Sequence, residues 1–321
     1  MTAETTPDIV KIASLRTPDA FRARCRTLGL DIPADDAMTR GTAGPLNQPI
    51  RLGPVTVGNR WVTHPMEGWD ATADGRPTEL VARRWRNFAS SGAKLLWGME
   101  AVAVADSGRA NPRQLVLRPD TVAQIASTAE HAIEVHRENF GTSDDLLWGL
   151  QLTHSGRYCR PRHAAQPEPR VAYRHPILDA RLGIDSDAPV LTDDEVKRLI
   201  ETFVQAAALC DQQGIRFLDI KQCHGYLLHE FLSAYTRLGP YGGEDLNNRT
   251  RLAREIIEGV RQVAPRVVIG VRLSAFDLVP FRPDPAKTRI GAMGPGIPED
   301  FSKLLPYRYA FGVNPLDPTE P

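Results

Sequence analysis

Arg216-Phe217-Leu218-Asp219-Ile220-Lys221-Gln222-Cys223-His224-Gly225-Tyr226-Leu227-Leu228-His229-Glu230-Phe231-Leu232-Ser233 is the stretch from which the fold is read. Its first five residues form a short, mainly apolar run of the kind that fills a buried strand. Polar residues gather where the run ends. A helix precedes it, opened by Thr192-Asp193-Asp194-Glu195, which fits a capping box. Val196, Leu199, Ile200, Phe203, Val204 and Leu209 line one face of that helix, and Gly214 stops it.

The same alternation extends in both directions. Upstream, the spacing predicts strands over 60–66, 94–100 and 146–152. Helices separate them, one from about Thr78 through Phe88 and one from Val122 to His136. Downstream, a helix over Leu252, Ile256, Val260 and Val263 leads to a fifth strand at 267–273. Apolar strands alternating with amphipathic helices predict a parallel sheet with helices outside it. Glu100, Gln151, Lys221 and Arg272 stand at the C-terminal ends of these strands, where parallel α/β folds bind ligands. There is no GxGxxG after the first strand and no GxxxxGK[ST], so neither dinucleotide nor P-loop binding is signalled.

Composition narrows the classes. Lys plus Arg and Asp plus Glu each total 39 of 321 residues, which argues against a polyanion-binding protein. No apolar run approaches the length of a membrane span, and Met1 to Asp8 lacks a basic-then-apolar leader, so a cytoplasmic protein is expected. Cys25, Cys159, Cys210 and Cys223 are widely spaced with no CxxC pair, so neither disulfides nor a metal site is expected. Cys223, His224 and His229 are read as residues around a strand end serving another purpose.

Three segments carry the chemistry. They are Gln151-Leu152-Thr153-His154-Ser155-Gly156-Arg157, then 219–233, then Tyr241-Gly242-Gly243 followed by Asn248-Arg249. Together they resemble the old yellow enzyme family of FMN-dependent ene-reductases, whose pattern reads QLxHxGR, HGYLxxxFLS and YGG…NR. The resemblance spans about residues 47–275, and Asn59-Arg60 through Pro65-Met66 is similar to the family's first strand. It implies a TIM-type (β/α)8 barrel with FMN at its C-terminal mouth and NAD(P)H as reductant. Pro65, Met66 and Ala101 would then lie against the flavin, with Gln151 bonding its pyrimidine edge. Arg272 would face the region where reduced flavin gathers negative charge. His224 and Lys221 would polarise a substrate carbonyl, Lys221 standing where relatives carry His. Tyr226 would protonate the α-carbon of an activated alkene as hydride reaches the β-carbon. Glu67 stands where relatives carry Thr or Cys, and as a carboxylate beside the flavin it is expected to lower the flavin's reduction potential. Lys221 has a second reading, an ion pair with Asp219 or Glu100. His154 is read as a structural residue, and the basic stretch 157–163 as a solvated substrate-side loop.

Three regions are expected: an extension over 1–46 with one short helix, a partial barrel over 47–275, and a proline-rich tail over 276–321. The tail holds nine of the 26 prolines. Only about five β/α units are legible, and five strands do not close a barrel. The expected consequences are open edges covered by a partner chain or homo-oligomer, and weak or no FMN binding by the chain alone. Two other readings stay open: a non-catalytic subunit completing another chain's barrel, and an amine-dehydrogenase-like flavoenzyme.

Overall fold

The computed structural model describes residues 10–185, 187–274, 280–287 and 296–299. The chain divides into two compact units, residues 1–48 and 49–321. In the first, Thr17 caps helix α1 (Pro18–Thr27) by accepting from the Ala20 N–H, with Pro18 in the first turn.

The second unit opens with an antiparallel hairpin, β1 (Ile50–Leu52) and β2 (Val55–Val57). Next come β3 (Val62–Thr63), α2 (Glu79–Ala89), β4 (Leu95–Leu96), β5 (Ala101–Ala103), α3 (Val122–Phe140) and β6 (Leu147–Thr153). They are followed by α4 (Pro176–Leu182), α5 (Asp193–Gln212), β7 (Phe217–Gln222), α6 (Leu227–Leu232), α7 (Leu246–Val263) and β8 (Val268–Leu273). A short antiparallel pair, β9 (Phe281–Pro283) and β10 (Gly296–Pro298), lies in the proline-rich region.

The sheet order is β3-β4-β6-β7-β8, every pairing parallel, with β5 also on β6. This is the wall of a (β/α)8-type barrel, incomplete among the described residues. Its main core lies between strands and helices, around Trp85, Ile125, Phe203, Leu218, Ile220 and Ile256. A second cluster seals the bottom. Ile50, Leu52, Val55 and Val57 of the hairpin pack on Leu95, Leu147, Phe217 and Val268 at the N-terminal ends of the strands. Gln151, Lys221 and Arg272 lie toward the other end of their strands.

Two expected strands come out shorter. Only Val62–Thr63 of 60–66 joins the ladder, with Met66 bridging to Glu100 further on. The expected strand 94–100 breaks after Leu96 and resumes as β5. Gly98 explains the break. Its φ is +139°, open to glycine alone, and a Cβ there would sit 2.9 Å from the Gln151 nitrogen. The chain stays anchored through Met99 N–H to Gly149 O and Gln151 N–H to Glu100 O, as at a bulge that re-aims its side chains.

The bulge turns Glu100 away from the mouth, against its sequence reading as a ligand-facing residue. Its buried carboxylate accepts from Arg84 (2.7 Å), the Trp85 indole (3.2 Å) and the Gly68 N–H (2.8 Å). Arg84 also bonds Asp70 at 2.6 Å, so the turn after Met66 is held from both sides. The ordinate effect is positional: segment 67–70 is fixed, and Glu67 with it.

Candidate active site

β7 carries the site. Alternation along Phe217–Gln222 sends Asp219 and Lys221 to one face, and the strand end delivers the Cys223-His224-Gly225-Tyr226 turn. His224 has φ +63°, a left-handed conformation uncommon for a residue with a side chain, and Gly225 follows at +69°. The turn closes through Tyr226 N–H to Cys223 O at 3.2 Å and Gly225 N–H to His229 Nδ1 at 2.7 Å.

The β6 motif braces this turn from the side. The Leu227 N–H donates to His154 O at 3.1 Å. Gly156 (φ +59°) lies so close that a Cβ would meet the Leu227 Cα at 2.9 Å, which is why a glycine follows His154-Ser155. Arg157, 0% exposed, bonds Glu230 of α6 and Asp179 of α4, and donates to Tyr173 O at 2.8 Å. Burial pushes the Glu230 carboxyl up to about 7, with Arg157 opposing. The reading of 157–163 as a solvated loop therefore fails at Arg157 and Cys159, both buried. Two carboxylates distant in sequence pull the guanidinium inward.

His154 is structural, its Nδ1 accepting from the Gly156 N–H at 3.1 Å. His175 caps α4 in the same way, its Nδ1 accepting from Leu178 N–H. Burial holds both rings at about 4, below the ordinary 6.5. Their folded pKa lies below the unfolded one, so the stability gained from the neutral rings is full above 6.5 and drains as pH falls toward 4. Urea midpoints should decline across that window, and His154→Gln, which keeps an acceptor, should flatten the decline.

At the mouth, Lys221 pairs with neither Asp219 nor Glu100 but with Glu67. Its ammonium bonds Glu67 Oε1, while the Tyr226 hydroxyl donates to Glu67 Oε2 at 2.7 Å. The Lys221 Nζ also lies 3.9 Å from the Tyr226 ring centroid. Burial and the bond to Glu67 both push the Tyr226 phenol up, so it is held protonated. His224 is pushed down by burial first, then by the charges of Lys221 and Arg272, which keeps its ring neutral.

Asp219, which sequence reading offered only as a Lys221 partner, organises the other half. It is fully buried and joins two neighbouring strands: Gln151 Nε2 donates to its Oδ2, and the Arg272 backbone N–H to its Oδ1 at 2.7 Å. A carboxylate accepts only, so the amide nitrogen of Gln151 must face it and the amide oxygen must point elsewhere. Burial pushes the Asp219 carboxyl up. The signal in the sequence was an acid inside an apolar strand.

Pro65 is buried at the start of this ledge, Met66 beside it is 50% exposed, and Ala101 is buried. The Ala101 N–H donates to Met66 O at 3.0 Å, tying the two strand ends together. Among the described residues no donor meets the Gln151 amide oxygen and no acceptor meets the Arg272 guanidinium. Among the described residues, one acceptor and one cation thus stand without a side-chain hydrogen bond at the strand ends.

The chain matches the NADH:flavin oxidoreductase / NADH oxidase family over residues 45–293, and it belongs to that family. It is 31% identical over 231 residues to an NADPH dehydrogenase of Listeria monocytogenes, covering 71% of this chain and 62% of that protein. The Old Yellow Enzyme from Pichia sp. AKU4542 superposes with a TM-score of 0.59 at 21% identity, over 72% of this chain and 60% of that one. The old yellow enzyme homologue from Zymomonas mobilis gives 0.56 at 27% identity, over 72% and 63%. The chain thus spans about three fifths of the length of these relatives.

The family implies FMN with NAD(P)H as reductant. The residues present fit an isoalloxazine edge. Its imide N–H needs an acceptor, which the Gln151 oxygen offers, and the carbonyl beside it needs a donor or cation, which Arg272 offers.

Proposed function

We propose that this chain supplies the flavin- and substrate-facing side of an FMN-dependent NAD(P)H oxidoreductase of the old yellow enzyme type, acting on an activated alkene. The observation that carries the reading is the ledge of Pro65, Met66 and Ala101 together with a Gln151 amide oxygen and an Arg272 guanidinium that have no hydrogen-bond partner among the described residues. Bound FMN would supply the hydride chemistry, accepting from NAD(P)H and delivering to the alkene. Gln151 and Arg272 would hold and polarise the pyrimidine edge, with Asp219 fixing which way the Gln151 amide faces. Lys221 keeps two N–H groups beyond its bond to Glu67, enough to donate to a substrate carbonyl oxygen. His224, neutral, adds one donor or acceptor on the same side. Tyr226 holds a proton above the strand end and releases it to carbon once its hydroxyl turns from Glu67. Glu67, paired with Lys221, stands there as a neutralised carboxylate, which weakens the expectation that its charge alone lowers the flavin's potential.

The protein is to be loaded with FMN and given NADPH anaerobically, then an α,β-unsaturated ketone. Consumption of one NADPH per alkene reduced supports the reading. NADPH consumption that the alkene never stimulates contradicts the substrate class, and no consumption at all contradicts the oxidoreductase.

A second reading concerns assembly. The edge strands β3 and β8 are flanked by exposed apolar side chains: Trp61 at 50%, Val62, and Leu273 at 56%. Such edges favour further strands pairing on them, from another chain or another copy. A mass by light scattering equal to one chain at micromolar concentration would remove this reading. No helix among the described residues is long and apolar enough to cross a membrane.

A further inference from the structure

We propose that Lys221 Nζ and Tyr226 OH form an oxyanion site for a carboxylate-bearing ligand, and that Glu67 is its built-in competitor. The geometry is that of a bound carboxylate whose owner is the chain itself. One oxygen of Glu67 meets the ammonium and the other meets the phenol at 2.7 Å, so two donors on different parts of the β7 turn converge on a single carboxylate. This is the two-oxygen recognition that a planar acid requires.

The charge balance points the same way. Lys221 is 4% exposed, and its ammonium lies over the Tyr226 ring rather than in water. A buried ammonium demands an anion, and removing its partner leaves a strongly unfavourable unpaired charge. Arg272 reinforces the field, and His224 stays neutral beneath both cations. The site therefore prefers an oxyanion over a neutral carbonyl, and a ligand acid gains entry by displacing Glu67. Tyr158, whose ring centre is 6.0 Å from that of Tyr226, adds a flat wall that suits a planar acid. The oxyanion site stands on these contacts alone, whereas its use as a substrate subsite rests on the flavin reading above.

Benzoate and its neutral isostere benzamide are the probes, titrated calorimetrically into the full chain without added flavin. Glu67→Ala should bind benzoate at least tenfold more tightly than the unsubstituted chain does, and in preference to benzamide. Adding Lys221→Met should erase that preference. If Glu67→Ala gains no benzoate affinity while its circular dichroism stays native, or if the preference survives loss of Lys221, the proposal is overturned. Should Glu67→Ala not fold, the near-isosteric Glu67→Gln must show a gain in the same direction, and equal benzoate binding to the unsubstituted chain is contradictory. A gain of benzoate binding in a chain that fails to take up FMN leaves the oxyanion site standing and removes only its use with flavin.

Discussion

Replacing Arg157 with leucine is expected to cost about 3–5 kcal/mol of stability, the largest loss of any single change in the site's scaffold. The guanidinium is wholly buried and bonds two carboxylates, Glu230 and Asp179, together with the Tyr173 carbonyl. Leucine fills part of the volume and leaves Glu230 with only the Ala172 N–H, so its buried carboxyl must either take up a proton or stay charged without a cation, while Asp179 keeps Arg174 at 2.7 Å. Glu230 is therefore the source of most of the penalty. Adding Glu230→Gln to Arg157→Leu should return a good part of it, because an amide tolerates burial where a lone carboxylate does not. Urea unfolding of the two single variants and the double variant measures this directly. A loss below about 1 kcal/mol, of the size typical of exposed pairs, would mean that the cluster does not hold the 156–182 segment against α6.

Replacing Lys221 with methionine is expected to lower turnover of the FMN-loaded protein by about 10²–10³-fold, the range seen when a donor to a developing oxyanion is removed. Lys221 contributes twice. It presents spare N–H groups toward the substrate side, and it neutralises Glu67, whose charge otherwise stands unpaired at the mouth. The two contributions separate by substitution. Lys221→Met alone suffers both, whereas Lys221→Met with Glu67→Gln restores the charge balance and leaves only the missing donor. The double variant should regain stability and substrate affinity but not turnover, so KM should recover while kcat stays low. Recovery of kcat in the double variant would show that Lys221 serves only to pair Glu67.

Much of the architecture was legible because it follows from periodicity. The five expected strands correspond to β3, β4, β6, β7 and β8 of the parallel sheet, and the Thr192–Glu195 capping box forms with both of its bonds. What the sequence concealed depends on pairing across distance. The break at Gly98 follows from its close approach to Gln151 on the neighbouring strand, and a local apolar run carries no trace of that approach. The turning of Glu100 toward Arg84, and of Arg157 toward Glu230 and Asp179, follows from oppositely charged partners 16, 73 and 22 residues away. Lys221 and Glu67 are 154 residues apart and meet only because β3 and β7 end at the same rim. Residue type marked both as departures from the resembled pattern, but nothing in either segment indicated that one departure compensates the other. Expectations within the last 46 residues fall largely outside the described positions, apart from the short β9–β10 pair.

Gln151 and Arg272 are proposed as the acceptor and the cation that would hold the flavin edge. The direct measurement is a titration of the protein with FMN followed by quenching of flavin fluorescence, repeated with Gln151→Ala and Arg272→Ala. Quenching in the unsubstituted protein that weakens at least tenfold in each variant is the predicted result. Quenching that is the same in all three proteins would contradict the assignment of this mouth as a flavin site.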